Sequence, residues 1–328
     1  MDEELARRVV ALAVRAPSVH NTQPWRFTVT ATGLDLYADR SRQLPVLDPT
    51  GRLLTISCGA AVGMARLAAR ALGYATTVEL MPDEDDLDRL ARLTVGPPLA
   101  AGSDELALVR EVARRRTVRD RFDTVPLASA ARTVLGRDAE TEQAWLYWVD
   151  DTAQRVTLAV LSDRADRIQQ ADPAMRAELA RWRRDDDTAG DGIPRGVLPQ
   201  VPPALRATDV PLREFAPPGG PPGGADPQHL PLPAERPDLA ILGTRYEGPM
   251  CWLQAGQALS RVLLRATELG LAASPLGQVL DLPWTRRQLR AELGLTGHPQ
   301  LVLRLGHAQL DGRRTPRRPV AAVVTVPT

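Results

Sequence analysis

Apolar and polar positions in the first hundred residues predict a short helix, several strands and one long helix. Apolar residues repeat at helical spacing over residues 5–13, and the pattern stops before Pro17 because a residue that precedes proline avoids helical backbone angles. A second helix is predicted at 53–72 and is ended by Gly73. The other elements predicted in this part are strands at 25–30, 34–38 and 76–81, and loops at 16–24 and 39–52.

The helix at 53–72 carries small residues along one face. A face without large side chains permits close packing against another helix or against a flat ring. A second long helix is predicted at 250–269, and we expect the two helices to form a central helical layer. The small residues are Gly59, Ala60, Ala61 and Gly63.

The order of elements partly repeats after residue 100. The Gly96-Pro97-Pro98 break marks a boundary there, and the acidic run at 83–88 is expected to be a solvated helix start. We therefore predict two related halves, 1–100 and 101–328, in an α+β fold whose helices flank antiparallel or mixed sheets. The second half is predicted to contain helices at 104–116 and 127–135, two helices within 152–184, and strands at 143–149, 299–305 and 320–326.

Residues 185–237 interrupt the second half with a stretch dense in proline and glycine. A loop of this length inside a compact domain is either functional or disordered. The Gly-Gly-Pro-Pro-Gly-Gly stretch within it fits a disordered insertion, whereas the apolar residues at 193–205 and 212–215 suit a lid that lies on the surface. Both interpretations stay open.

Composition excludes several classes of partner. Among 328 residues, 41 basic and 40 acidic side chains give a formal net charge of +1, so nothing favours nucleic acid or an anionic membrane. Lysine is absent from the chain, and any anion site must therefore use arginine.

The cysteines and the N-terminus bear on compartment. Cys58 and Cys251 lie far apart and form neither a zinc site nor a disulfide framework, so we expect no metal. The N-terminus is acidic and unlike a signal peptide, and Arg66 and Arg70 inside the most apolar stretch argue against a membrane span. We predict a cytoplasmic protein.

The most informative segment is the loop Ala16-Pro-Ser-Val-His-Asn-Thr-Gln-Pro-Trp-Arg-Phe27. Its prolines stiffen a run of polar side chains, and fixed donors and acceptors suit the edge of a planar heterocycle or a ribityl chain. A loop that only satisfies its own backbone is the alternative, and the full pattern disfavours it. The candidate binding residues are Ser18, His20, Asn21 and Gln23.

A second segment, Arg114-Arg-Arg-Thr-Val-Arg-Asp-Arg-Phe122, holds five guanidinium groups and a hydroxyl within nine residues. This is the donor set that a phosphate dianion needs, although a solvated basic helix end would look similar. The segment at 270–278 and the basic tail at 313–320 are weaker signals, since a helix end and an exposed tail would also explain them.

The loop resembles the Ser-x-x-Asn-x-Gln-Pro-Trp-x-Phe signature of FMN-dependent nitroreductases. The arginine segment is similar to that family's phosphate-binding Arg-Arg-Ser/His-Thr-x-Arg motif, and the matching positions are Arg115, Arg116, Thr117 and Arg119. The resemblance implies that backbone N–H groups after the long helix face flavin N5 and O4, at Pro275, Leu276, Gly277 and Gln278. It also implies that the tail closes the phosphate pocket, with Arg317 and Arg318 as candidates.

The resemblance covers nearly the whole chain and is most specific for the Acg-like branch of this superfamily. That branch also shows Leu47-Asp-Pro-Thr-Gly-Arg52, Ser57-Cys-Gly-Ala-Ala61 and Ala255-Gly-Gln-Ala258 in these relative positions. Ordinary nitroreductases are homodimers with shared FMN sites, and the Acg-like proteins look like such a dimer fused into one chain. The fusion agrees with the sequence, because half one keeps the Gln-Pro-Trp loop, whereas half two keeps the arginines and has only Thr141-Glu-Gln-Ala-Trp145 in place of the loop. One FMN per monomeric chain is the resulting expectation.

The resemblance implies an oxidoreductase in which NAD(P)H reduces the flavin and a small electron-poor acceptor is then reduced. The family often places a lysine near the flavin, and Arg119 or His20 would have to serve here. Two alternatives stay open: a protein that binds or sequesters FMN with little turnover, and a flavin dehydrogenase in a biosynthetic pathway. A cofactor-free regulatory protein is a further alternative, which the two complementary motifs disfavour.

Overall fold

The first sheet lies in the N-terminal part of the chain and has five strands. The computed structural model describes residues 1–186, 188–198, 208, 210, 212–213, 235–308 and 313–327. Its first elements are α1 (Glu3–Ala13), β1 (Trp25–Val29), β2 (Gly33–Ala38), α2 (Arg52–Ala71), β3 (Tyr74–Leu80) and β4 (Arg89–Pro98). A strand from the C-terminal end, β11 (Val324–Thr325), pairs parallel with β1, and the other neighbours are antiparallel. The order of the strands is β11-β1-β2-β4-β3.

The second sheet has four antiparallel strands and is surrounded by the remaining helices. After β4 come α3 (Ser103–Glu111), α4 (Ser129–Thr141), β5 (Ala144–Trp148), α5 (Thr152–Ala171), α6 (Pro173–Arg181), β6 (Arg183–Arg184) and β7 (Ile193–Pro194). They are followed by β8 (Asp238–Thr244), α7 (Pro249–Glu268), β9 (Ala272–Leu276), α8 (Gln278–Asp281), α9 (Pro283–Glu292) and β10 (His298–Gly306). The order of the strands is β5-β8-β10-β9, and the predicted α+β class is confirmed.

The helices α2 and α7 pack against each other between the two sheets, as predicted. A Cβ atom placed on Gly59 would lie 2.3 Å from the carbonyl oxygen of Leu253, and one placed on Gly256 would lie 2.0 Å from that of Ile56. Only glycine allows this approach, because any side chain would overlap backbone atoms. The small-residue face of α2 therefore serves helix packing.

The N-terminus of α2 is capped by a buried carboxylate in the preceding loop. Asp48 accepts a hydrogen bond from the backbone N–H of Leu54 at 2.8 Å, and its side chain is buried. Burial raises the pKa of Asp48 to about 6. α2 also has the length and composition of a membrane-spanning helix. However, 94% of its apolar 18-residue stretch is buried inside the protein, as in the core helix of a folded domain.

Three sequence predictions about elements were wrong, and several elements were missed. The acidic run is not a helix start, because the carboxylate of Asp83 accepts the N–H groups of Asp85 and Asp86 in a turn that leads into β4. The strands β4, β8 and β9 and the helices α8 and α9 were not predicted. The helix predicted at 104–116 ends at Glu111, and the strand predicted at 320–326 is a 3₁₀ turn followed by the two residues of β11.

The proline- and glycine-rich segment is described only in part. Residues 199–207, 209, 211 and 214–234 lie outside the described residues, and so does most of the lid or insertion predicted at 185–237. The described beginning pairs β6 with β7, and Asp191 forms ion pairs with Arg42 and Arg184. These contacts attach the start of the segment to the loop that precedes α2.

Candidate functional site

The loop between α1 and β1 is held in an uncommon backbone conformation. His20, Asn21 and Gln23 all have positive φ angles, of 46°, 54° and 51°. The hydroxyl of Ser18 accepts a hydrogen bond from the backbone N–H of Gln23 at 3.0 Å, and the backbone N–H of Val19 donates to the hydroxyl of Ser57 at 3.2 Å. The loop is thus fixed to the first turns of α2, which is a rigid support for a binding site.

Two of the polar loop residues bind other parts of the chain. The buried amide of Gln23 donates to the carbonyl of Gly190 at 2.9 Å, and its oxygen accepts the backbone N–H of Arg318 at 2.8 Å. Asn21 donates to the carbonyls of Gly192 and Pro316. Neither side chain is among the residues that line the cavities of the described structure, so both position the loop instead.

A cavity of about 170 Å³ opens beside this loop, between the two halves. This exceeds by far the roughly 15 Å³ that one water requires, so the cavity is large enough for an organic ligand. Its polar lining includes Ser18, His20, Ser57, Thr117, Arg119, Ser274, Gln278 and Asp281. Its apolar lining includes Pro17, Val19, Leu53, Ile56, Ile193, Leu259, Pro275, Leu276 and Leu301.

The stretch after α7 lines this cavity. Pro275 and Leu276 end β9, Gly277 precedes α8, and Gln278 begins it. The arginine segment runs beside β9, because the backbone N–H of Val118 donates to the carbonyl of Ala273 at 2.9 Å. Residues from 114–119 and 274–278 therefore meet at one cavity.

Sequence reasoning missed several lining residues of the cavity, among them Leu212 and Arg213 of the proline-rich segment. Arg213 forms an ion pair with the buried carboxylate of Asp281, and its guanidinium lies 3.4 Å from Nε2 of His20. Because a guanidinium only donates, Nε2 of His20 is the acceptor and the ring proton is on Nδ1. Burial, Arg213 and Arg119 lower the pKa of His20 well below its usual value, so the ring is neutral at physiological pH.

A smaller pocket of about 30 Å³ adjoins the cavity and shares Thr117 and Arg119 with it. Among the described residues, its lining includes no carboxylate and seven arginines: Arg15, Arg115, Arg116, Arg119, Arg313, Arg314 and Arg317. Arg313 forms an ion pair with Asp120, which lies outside the lining. This arginine pocket collects far more positive than negative charge.

Five of the seven arginines have no carboxylate partner within the described ranges. They are Arg15, Arg115, Arg116, Arg314 and Arg317. The Nε groups of Arg115, Arg116 and Arg317 are buried and have no hydrogen-bond partner in that part of the chain. Burial lowers the pKa of Arg115 to about 10, and burial together with Arg115 and Arg15 lowers that of Arg317 to about 9. Each guanidinium stays charged at neutral pH, and an anion would satisfy the unpaired donors.

Arg318 is a further predicted site residue whose side chain binds elsewhere. Its guanidinium donates to the carbonyls of Gln23 and Ala322, and it does not line either the cavity or the arginine pocket of the described structure. It therefore supports the loop, whereas Arg317 lines the pocket.

A third cavity, of about 260 Å³, lies between α2, α3 and α7. The arginines in its lining already have acidic partners: Arg66 pairs with Glu142, Arg70 with Glu105, and Arg261 with Asp104 and Asp138. The charges of this cavity are thus balanced within the protein.

Comparison with known proteins gives full-length relatives. No family model matches the chain. The protein named "Putative NAD(P)H nitroreductase Rv3131" from Mycobacterium tuberculosis strain H37Rv is 35% identical over 331 residues, which cover 99% of this chain and 92% of that protein. The protein named "Putative NAD(P)H nitroreductase acg" from the same strain is 29% identical, with 98% of this chain and 96% of that protein covered.

Solved structures show a more distant likeness. A nitroreductase with bound FMN from Desulfitobacterium hafniense aligns with a TM-score of 0.41 at 14% identity, over 67% of this chain and 97% of that one. An NADPH:FMN oxidoreductase from Vibrio harveyi aligns with a TM-score of 0.39 at 13% identity, over 67% of this chain and 76% of that one.

Proposed function

The chain is an oxidoreductase of the NAD(P)H nitroreductase family, and from this premise we propose that it holds one FMN across the cavity and the arginine pocket. The family expected from the sequence motifs is thereby confirmed. We further propose that NAD(P)H is the reductant and that a small electron-poor molecule is the acceptor. The cofactor when bound supplies the hydride chemistry, and the protein supplies binding, orientation and electrostatics.

The observation that carries this proposal is the arginine pocket. A volume of about 30 Å³ is a few times what one water needs, which suits a single phosphate group. The buried Arg115 and the partly buried Arg116 and Arg317 bring unpaired donors to it, and the hydroxyl of Thr117 adds another. The residues present therefore fit the phosphate end of FMN.

The adjoining cavity fits the rest of the cofactor. Ser18 and His20 would bind one edge, and the backbone of residues 275–278 would bind the other. Apolar side chains from α2, α7 and β10 would cover the ring, and their burial excludes water from the reacting face. Because His20 is neutral, Arg119 is the cation that would stabilise negative charge on the reduced ring.

We propose a monomer with a single cofactor site. The loop of half one and the arginines of half two already meet in one chain, so a second copy is not needed to complete the site. The cavity between α2, α3 and α7 has internally paired charges and is a poor match for a second phosphate. We also expect the protein in the cytoplasm.

FMN titration of the apoprotein tests the proposal. Replacing Arg115 with Gln removes a buried guanidinium, and we expect FMN affinity to fall by up to about 100-fold, since a charged hydrogen-bonded contact contributes roughly 1.5–3 kcal/mol. Arg110→Gln is the matched control, because Arg110 is exposed on α3 and lines neither the cavity nor the pocket. Equal FMN affinity of Arg115→Gln and wild type would contradict the assignment of the pocket.

A second function, sequestration of FMN, is favoured by the position of Arg213. Its ion pair with Asp281 and its contact with His20 place the proline-rich segment at the cavity, where it would limit access of NAD(P)H. Anaerobic stopped-flow absorbance separates the two functions. Rapid bleaching of the flavin band by NADPH or NADH supports the reductase, whereas a protein bleached only by dithionite supports sequestration.

A further inference from the structure

We propose that Arg15 and Arg314, at the mouth of the arginine pocket, bind the 2′-phosphate of NADPH, so that the protein selects NADPH over NADH. The inference rests on the proposed function, since it takes FMN as the occupant of the inner pocket. It assigns a role to Arg15 and Arg314, which are not needed to bind the phosphate of FMN.

The charge of the pocket exceeds what one phosphate balances. Seven guanidinium groups line it, and five of them have no carboxylate partner among the described residues. A phosphate monoester carries about two negative charges at neutral pH. The pocket volume of about 30 Å³ suits one such group, so the arginines carry more positive charge than that group balances.

The arginines divide into an inner and an outer set by their exposure. Arg115 is buried, and Arg116 and Arg317 are partly buried, whereas Arg15 and Arg314 are exposed although they line the same pocket. Exposed residues in the lining of a pocket stand at its mouth. The outer pair can therefore reach an anion that the inner set does not enclose.

Both outer residues are anchored through the backbone. The carbonyl oxygen of Arg15 accepts hydrogen bonds from the guanidinium groups of Arg115 and Arg317. Arg314 follows Arg313, which is tied to Asp120 by an ion pair and to the carbonyl of Gly196 at 2.9 Å. The mouth is therefore built on fixed backbone positions, which favours a specific phosphate contact over diffuse attraction.

The position of the mouth suits a dinucleotide. The cavity and the arginine pocket adjoin each other, because Thr117 and Arg119 line both. A pyridine nucleotide whose nicotinamide enters the cavity extends its adenylate end outward, toward exposed positive charge. NADPH and NADH differ only in the 2′-phosphate, and a guanidinium at that position binds it by charge-assisted hydrogen bonds.

Calorimetric titration of the FMN-loaded protein tests the inference with a pair of fragments that carry no hydride. The probes are 2′,5′-ADP and 5′-AMP, which differ only in the 2′-phosphate. We expect wild type to bind 2′,5′-ADP at least about tenfold more tightly than 5′-AMP, and Arg314→Gln or Arg15→Gln to remove most of that preference. Arg8→Gln is the control, because Arg8 is exposed on α1 and lines neither space.

Three results would overturn the inference. They are equal affinity for the two probes, an unchanged preference in Arg314→Gln and Arg15→Gln, and binding of 2′,5′-ADP only after FMN is removed, which would place it in the inner pocket. FMN titration of the same samples keeps the proposals apart. Failure to bind FMN contradicts the proposed function, whereas normal FMN binding without a 2′-phosphate preference contradicts this inference alone.

Discussion

At the residue scale, the loop before β1 shows how strain is balanced by side-chain contacts. Left-handed backbone angles at His20, Asn21 and Gln23 cost about 1 kcal/mol each. The hydrogen bonds of Gln23 to Gly190 and Arg318 offset this cost and hold the loop open toward the cavity. The polar residues of one motif therefore separate into those that face the cavity and those that hold the loop.

The neutral state of His20 has a consequence for stability. Its pKa is lowered in the folded protein, so below about pH 6.5 the unfolded chain binds a proton that the folded chain does not. The contribution of the neutral His20 ring to the free energy of unfolding is therefore present above pH 6.5 and is lost as the pH falls. We expect the free energy of unfolding of wild type to decrease by up to about 2 kcal/mol between pH 7 and pH 5 from this residue.

Replacing His20 with Asn checks this expectation, because Asn tolerates a positive φ and does not titrate. Urea unfolding at pH 7, 6 and 5 should show a smaller loss of stability in His20→Asn than in wild type. If the free energy of unfolding depended on pH in the same way in both proteins, His20 would bind its proton equally in the folded and the unfolded chain.

Sequence reasoning named four of the seven arginines that line the arginine pocket, because three of them cluster in one short segment and Arg317 lies in the basic tail. Arg15 carries no such signal in the sequence. Of the loop residues that sequence reasoning named, Ser18 and His20 line the cavity. It did not separate them from Asn21 and Gln23, because side-chain direction depends on the positive φ angles. Leu212 and Arg213 were missed because the segment around them has no periodicity that indicates where it lies.

At the element scale, the crossing of α2 and α7 determines the distance between the two halves. Gly59 and Gly256 allow backbone contact at the crossing, and the first turns of α2 and the middle of α7 both line the cavity. A shift of one helix would therefore change the width of the site as well as the packing of the core.

Gly59→Ala should destabilise the protein by about 3 kcal/mol or more, because its Cβ would overlap the backbone of Leu253 and the helices would have to separate. Gly136→Ala is the matched control. Gly136 lies in α4 with nothing within 4 Å of the added carbon, so alanine there should stabilise the helix by up to about 1 kcal/mol. Thermal unfolding compares the two variants. Similar melting temperatures would contradict the claim that the close approach of α2 and α7 excludes a side chain at position 59.

Two of the missed strands, β4 and β8, show why pattern reading was incomplete. β8 is buried at all seven positions, and a short continuous apolar run does not distinguish a strand from a buried helix. β4 ends in Pro97 and Pro98, which suggested a boundary. Its pairing with β2 extends only to Thr94, so the prolines need no hydrogen bond on that side.

At the scale of the whole molecule, one binding site arises from two unequal halves. The first provides the loop and α2, and the second provides the arginines, β9 and α7. The division at residue 100 stays a prediction, and the structure adds that β11 from the C-terminal end completes the first sheet. The order of the elements and the two complementary motifs could be predicted from the sequence. The pairing of the C-terminal strand with the first sheet could not, because that strand has only two residues.

The ratio of FMN to protein mass in solution tests the single-chain site most directly. FMN-reconstituted protein is separated by size-exclusion chromatography, and light scattering and flavin absorbance are read across the same peak. One FMN per particle of 35.7 kDa is the expected result. A dimer with one FMN per two chains, a chain with two FMN, or a colourless protein that takes up none would contradict a site completed within one polypeptide.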